Sequence, residues 1–130
     1  MRNTTTWLTV TACLLLLTAV ILGALGSHAL ADILTPEKQA SWGLAVQYQM
    51  IHSLGMILIA VLYQQYVQPL LRWAGGLMLV GIILFSGSIY ATALGAPAGL
   101  GLIAPYGGSA FMLGWLLVAL AILRIRFSQP

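Results

Sequence analysis

Four apolar stretches, at about 7–27, 42–63, 73–94 and 105–123, take up most of the 130 residues. A helix needs roughly 20 apolar residues to cross a hydrocarbon core about 30 Å thick. In hydrocarbon every backbone N–H and C=O must be satisfied within the chain, so such runs fold as helices. The expected fold is an all-α membrane protein, a single domain forming a four-transmembrane-helix bundle. Lys, Arg, Asp and Glu make up 5% of the chain, against roughly 25% in a soluble domain, which is too few to build a water-facing surface. Trp7, Trp42, Tyr63 and Trp73 fall at the ends of the runs, where belt aromatics are expected, while Trp115 is expected to pack inside. Ala29-Leu30-Ala31 resembles a signal-peptide cleavage site, but the first run exceeds the roughly 7–15 residues of a signal core, so it is expected to remain as a helix.

The basic residues set an orientation. Arg2, Arg72, Arg124 and Arg126 fall on one side of the four-span arrangement, and Lys38 falls on the other beside Asp32 and Glu37. The positive-inside rule then predicts both termini in the cytoplasm and a multi-pass location in the inner (plasma) membrane. Net charge of +3 is spread over the ends of apolar segments, without a basic patch interleaved with aromatics, so nucleic acid is not an expected partner. In the first loop, Thr35-Pro36-Glu37 has the chemistry of a helix start: an N-cap hydroxyl, a proline at the first position and an early acid. Helix 2 is therefore expected to begin near Pro36, with a short amphipathic turn from Glu37 to Ser41. The third loop, Gly95-Ala96-Pro97-Ala98-Gly99-Leu100-Gly101, is uncharged and reads either as a lip over the bundle or as a flexible turn.

Lipid tails are as apolar as leucine, so small residues must let the helices approach. Ala19, Gly23, Ser27 and Ala31 in the first span, Gly87, Ala91 and Gly95 in the third, and Ala110 and Gly114 in the fourth are candidates for close contacts, within one chain or in a homo-oligomer or larger membrane complex. Cys13 is the sole cysteine, which excludes an intrachain disulfide.

Polar residues within the spans gather toward the outer side. The first span brings Ser27 and His28; the second brings Gln47, Tyr48, Gln49, His52 and Ser53; the third brings Ser86, Ser88, Tyr90 and Thr92; the fourth brings Tyr106 and Ser109. The inner half has few, chiefly Thr11 and Thr18. Tyr48, Gln49 and His52, three or four residues apart, share a helix face. An intramembrane ionisable residue is costly without a partner and so marks a candidate site. The bland alternatives are specific too. Ser86, Ser88 and Thr92 can bond their own backbone, Tyr90 and Tyr106 can serve as belt aromatics, His28 can meet interfacial water, and His52 can bridge helices. Two imidazoles could ligate a haem iron. With Met50 or Met56 they could hold copper(I), or they could relay protons. Within the spans no carboxylate or second cysteine completes a zinc site, and none orients a serine–histidine pair for hydrolysis.

Several segments carry a family resemblance: Gly23-Ala24-Leu25-Gly26-Ser27-His28, then Trp42, Ala45 and Tyr48-Gln49-Met50-Ile51-His52-Ser53-Leu54, then Phe85-Ser86-Gly87-Ser88-Ile89-Tyr90 and Ile103-Ala104-Pro105-Tyr106-Gly107-Gly108. In that order they resemble the YgdD-like family of small inner-membrane proteins, a domain of unknown function. The resemblance implies four membrane helices and an inner-membrane or mitochondrial location, with no established activity. Ser27 stands where the family often has alanine, and Ser109 adds polarity.

The leading functional expectation is a non-enzymatic binding or accessory protein with a polar pocket in the outer half, and no predicted cofactor. The lipid bilayer is its expected surroundings. One alternative is a small transporter or proton-coupled carrier using His52. The other is a haem or copper protein using His28 and His52, with Met56.

Overall fold

A computed structural model describes residues 2–127, with Arg2 described by its backbone alone, so the side chain of Arg2 lies outside the described residues. Four helical segments are long and apolar enough to cross a membrane. Helix 1 is Arg2–Ser27 and helix 2 is Pro36–Gln65. Helix 3 runs over Pro69–Ala93, with a π turn at Ile83–Gly87 between two α-helical parts. A 3-10 turn at Ala98–Ile103 leads into helix 4, Ala104–Phe127. Neighbours in sequence run antiparallel. The first and last described residues and the connection 66–68 mark one end of the bundle, the terminal end. The connections 28–35 and 94–103 mark the other, the loop end.

Helix 2 begins as its sequence demands. Pro36 occupies the first turn and Thr35 Oγ1 accepts from Lys38 N at 3.3 Å. Helix 2 packs on helices 1 and 3, and helix 4 packs on helix 3. The shared core holds Leu8, Met56, Ile59, Leu71 and Met78, all fully buried.

Helices 3 and 4 make their close approach through glycines. A Cβ on Gly107 would collide with the backbone N of Phe85, and one on Gly114 would lie 3.0 Å from Met78 Cε. On helix 3 the tight positions are Gly81, filled by Phe111, and Gly75, filled by Leu8. They replace the expected run Gly87, Ala91 and Gly95: a Cβ at Gly87 or Gly95 meets open space. Gly95 has another use, since its φ of +105° lets the chain leave helix 3 in a conformation that L side chains rarely adopt. On helix 1, Ala19 is buried and Gly23 approaches Val46, whereas Ser27 is exposed and Ala31 lies beyond the helix.

The belt assignment needs two corrections. Trp42 is 2% exposed and sits between helices 1 and 3, and Tyr63 is also buried. Gly26 makes the room for Trp42, because a Cβ there would stand 2.5 Å from the indole Cδ1. Trp73, 70% exposed, fits a belt position, and Trp7, Arg72 and Trp73 line one shallow depression at the terminal end.

Gly107→Ala is expected to destabilise the bundle by about 1–3 kcal/mol, the usual cost of overpacking. Gly108→Ala, where a Cβ meets nothing within 4 Å, is expected to leave stability unchanged or raised. Unfolding of both variants in mixed micelles, followed by circular dichroism, checks the difference.

Candidate functional site

Helix 2 fastens itself to helix 1 by three side chains that donate to backbone carbonyls. Gln39 Nε2 reaches Gly26 O at 3.0 Å, Trp42 Nε1 reaches Leu22 O at 2.8 Å, and Gln49 Nε2 reaches Leu15 O at 2.8 Å. The donors climb helix 2 as the acceptors descend helix 1, so the two helices are held in one register. Gly26 O belongs to the last turn of helix 1, where carbonyls lack intrahelical donors.

Gln49 is the centre of the polar layer. Its amide N–H groups serve Leu15 O and Thr18 Oγ1, the latter at 2.9 Å, and its Oε1 accepts from Tyr90 OH at 2.8 Å. Thr18 in turn donates to Leu15 O at 3.0 Å. One amide thus ties helices 1, 2 and 3 together with both ends engaged. The geometry follows from helix direction. Side chains lean toward the N-terminus of their own helix, so Gln49 leans toward the loop end and Tyr90, on an antiparallel neighbour, leans toward the terminal end. They meet between their two levels.

Ser86, in the π turn, donates to Ala45 O of helix 2 at 2.7 Å and is fully buried. Ser88 and Thr92 bond backbone of their own segment, to Phe85 O and Ser88 O. Ser53 does the same at Gln49 O.

His52 stands beside this layer rather than in it. It is 5% exposed, and its Nδ1 lies 2.7 Å from Tyr48 O. A carbonyl can only accept, so Nδ1 carries the proton. The ring stacks on Phe111 with centroids 3.5 Å apart and 13° between planes, and Trp115 and Tyr48 flank it. Tyr48 also stacks on Phe85 at 4.7 Å. These rings fill the space between helices 2 and 4, and Gly55 admits the edge of Trp115. The polar chain Thr18–Gln49–Tyr90 bypasses His52, whose surroundings are aromatic.

Three sequence candidates lie outside the cluster. Ser27 and His28 are exposed where helix 1 ends, and Tyr106 is 71% exposed at the start of helix 4. Their positions at helix termini place them at the surface of the loop end. The haem or copper reading needs His28 and His52 on one ion. Gly26 meets helix 2 at Gln39 and Trp42, so His28 is level with the first turns of helix 2. His52 is then about 18 Å or more away along the axis, and the two imidazoles cannot share an iron or a copper. Met56, one turn from His52, lies fully buried in the apolar core. Among the described residues, no three His, Cys, Asp or Glu side chains converge.

Open space lies elsewhere. A groove of about 510 Å³ at the loop end is lined by Glu37, Lys38 and Ser41 of helix 2, Ile89, Thr92 and Ala93 of helix 3, and Gly95, Ala96, Ala98 and Gly101 of the third loop. The third loop forms one wall of this groove, and none of its 3-10 residues is itself buried. Trp42, Phe85 and Phe111 are neighbours of the polar layer and of His52 that the pattern of polar residues did not single out, and Thr18, expected in the inner half, is joined to the layer by Gln49.

The sequence comparisons agree with this architecture. A family model described as "Protein of unknown function (DUF423)" matches residues 22–108, which includes Trp42, Gln49, His52, Ser86 and Tyr90. The chain belongs to this family. DUF423 relatives include a UPF0382 membrane protein of Staphylococcus epidermidis, 41% identical over 82% of this chain and 86% of that one. The UPF0382 membrane protein YwdK of Bacillus subtilis is 38% identical over 83% and 89%. The UPF0382 inner membrane protein YgdD of Escherichia coli K12 is 30% identical over 82% of each. No solved structure matches the chain. The DUF423 chain is therefore a multi-pass membrane protein of a family whose function is unknown, in accord with its YgdD-like motifs.

Gln49 and Tyr90 are expected to be energetically coupled. In a cycle of Gln49→Leu, Tyr90→Phe and the double variant, the coupling should be about 0.6–1.7 kcal/mol, the range for interhelical hydrogen bonds in membranes. Reversible unfolding in mixed micelles measures it, and simple additivity would show that the pair does not hold the helices together.

Proposed function

We propose that this is a non-enzymatic binding or accessory protein of the inner membrane, with cytoplasmic termini and the loop end facing outward. Its binding surface is the loop-end groove, and its polar layer is structural. The single observation behind this reading is where free space lies. Gln49, Ser53, Ser86, Ser88 and Tyr90 spend their polar atoms on one another and on backbone, while the groove opens at the end of the spans beside Glu37 and Lys38. Arg72, Arg124 and Arg126 lie toward the opposite end, which supports the orientation through the positive-inside rule.

The groove pairs a carboxylate and an ammonium on adjacent residues, with an apolar wall of Ile89, Ala93, Ala96 and Ala98. That combination suits a zwitterionic phospholipid headgroup of the phosphoethanolamine type. Lys38 would take the phosphate, Glu37 the ammonium, and the wall the start of the acyl chains. The groove's level fits, since helix 2 leaves the hydrocarbon near this turn.

In protein extracted gently from phosphatidylethanolamine-rich membranes, native mass spectrometry is expected to show bound phospholipid. Retention should fall several-fold in the Glu37→Gln/Lys38→Gln variant, with helix content unchanged by circular dichroism. Equal retention in variant and wild type would contradict the reading.

A further inference from the structure

One polar residue in the middle of helix 2 is placed where hydrocarbon should be. Gln47 is exposed, and among the described residues it makes no hydrogen bond. Its face of helix 2 is otherwise built of Ala40, Leu44, Ile51, Leu54, Leu58 and Val61, all exposed. These positions, with Gln47 among them, recur at alternating steps of four and three residues. That is the seam spacing of two helices wound together.

Depth removes the simplest account of Gln47. Ser86 bonds to Ala45 O and Tyr48 stacks on Phe85, so Gln47 is level with residues near 84 of helix 3. Trp73, exposed beside Arg72, marks the terminal-end boundary. From Trp73 to that level is about 17 Å of helix, close to the middle of a core about 30 Å thick. A free amide there lacks water to bond, and an unmet amide in an apolar medium costs several kcal/mol.

We infer that helix 2 pairs with helix 2 of a second copy of this chain, with Gln47 bonded to Gln47 across a two-fold axis along the membrane normal. The occupant follows from symmetry and chemistry. Two copies inserted with one topology place every residue at the same depth as itself, so around such an axis Gln47 can meet only Gln47. A carboxamide carries both a donor and an acceptor, so it is complementary to its own copy, as an isologous contact requires. One turn toward the loop end, Gly43 faces open space with nothing within 4 Å of a Cβ, which lets the partner backbone come near. A lone polar side chain in an apolar seam also fixes register.

Cysteine cross-linking in native membranes tests this. The background is Cys13→Ala, because Cys13 is exposed on helix 1. Gln47→Cys, Ile51→Cys and Leu54→Cys should form disulfide-linked dimers. Met112→Cys, exposed on helix 4, should not. In dilution experiments in liposomes with fluorescently labelled chains, Gln47→Leu should weaken dimerisation about tenfold, and Gln47→Asn should retain part of it. The inference is overturned by any of three results: position 47 cross-links no better than position 112, Gln47→Leu dimerises as well as the wild type, or the 47-cysteine product contains a different protein. A monomer whose position 47 is quenched by headgroup-level probes would likewise overturn it, by showing that Gln47 reaches the interface.

Discussion

A polar side chain within hydrocarbon must find its partner in protein, and the bundle is arranged around that demand. Gln49 cannot turn to water, so its amide holds Leu15 O and Thr18 of helix 1 and the hydroxyl of Tyr90 on helix 3. Trp42 and Gln39 repeat the device toward the loop end at Leu22 O and Gly26 O. Since burial of apolar groups does not drive association in lipid, such bonds and close van der Waals contact select one arrangement over its neighbours. Glycine supplies the second part. Gly26 admits the Trp42 ring, Gly107 lets helix 4 reach the backbone of helix 3, and Gly55 admits Trp115.

The same demand separates structure from function. Polar atoms that are paired internally are unavailable to a ligand, which is why the centre of the cluster reads as a lock. His52 is packed between rings, its Nδ1 engaged by Tyr48 O, and it stands apart from any continuous polar path. The groove between helix 2 and the third loop has what the polar layer lacks: space and charge of both signs.

Much of the architecture is legible in the sequence because hydrocarbon permits few solutions. Four runs of the right length gave four helices, and Thr35-Pro36 marked the start of helix 2. Side-chain partners were harder to read, for physical reasons. Trp42 has the position of a belt residue at the end of an apolar run, and the room that buries it comes from the missing side chain at Gly26 on the preceding helix. Gln39, Trp42 and Gln49 lie at three- and seven-residue steps on one face, a donor stripe that depth alone does not distinguish from scattered polarity. Ser86 reads in the sequence as a residue that can bond its own backbone, whereas from the π turn at Ile83–Gly87 it donates to Ala45 O of helix 2, and a π turn leaves no mark in hydropathy. His28 and His52 share a residue type, but their helices hold them several turns apart.

Isotope-edited infrared spectroscopy tests the central claim most directly. With ¹³C=¹⁸O placed singly at Leu15, Leu22 or the lipid-facing Leu17, the first two carbonyls should absorb at lower frequency than Leu17, since each accepts a side-chain hydrogen bond besides its helical one. Gln49→Leu should move the Leu15 band part of the way toward the Leu17 value, since the Thr18 hydroxyl still donates to that carbonyl, and Trp42→Phe should return the Leu22 band to it. Equal frequencies at all three carbonyls, unmoved by either substitution, would contradict the account that these donors hold helix 2 to helix 1.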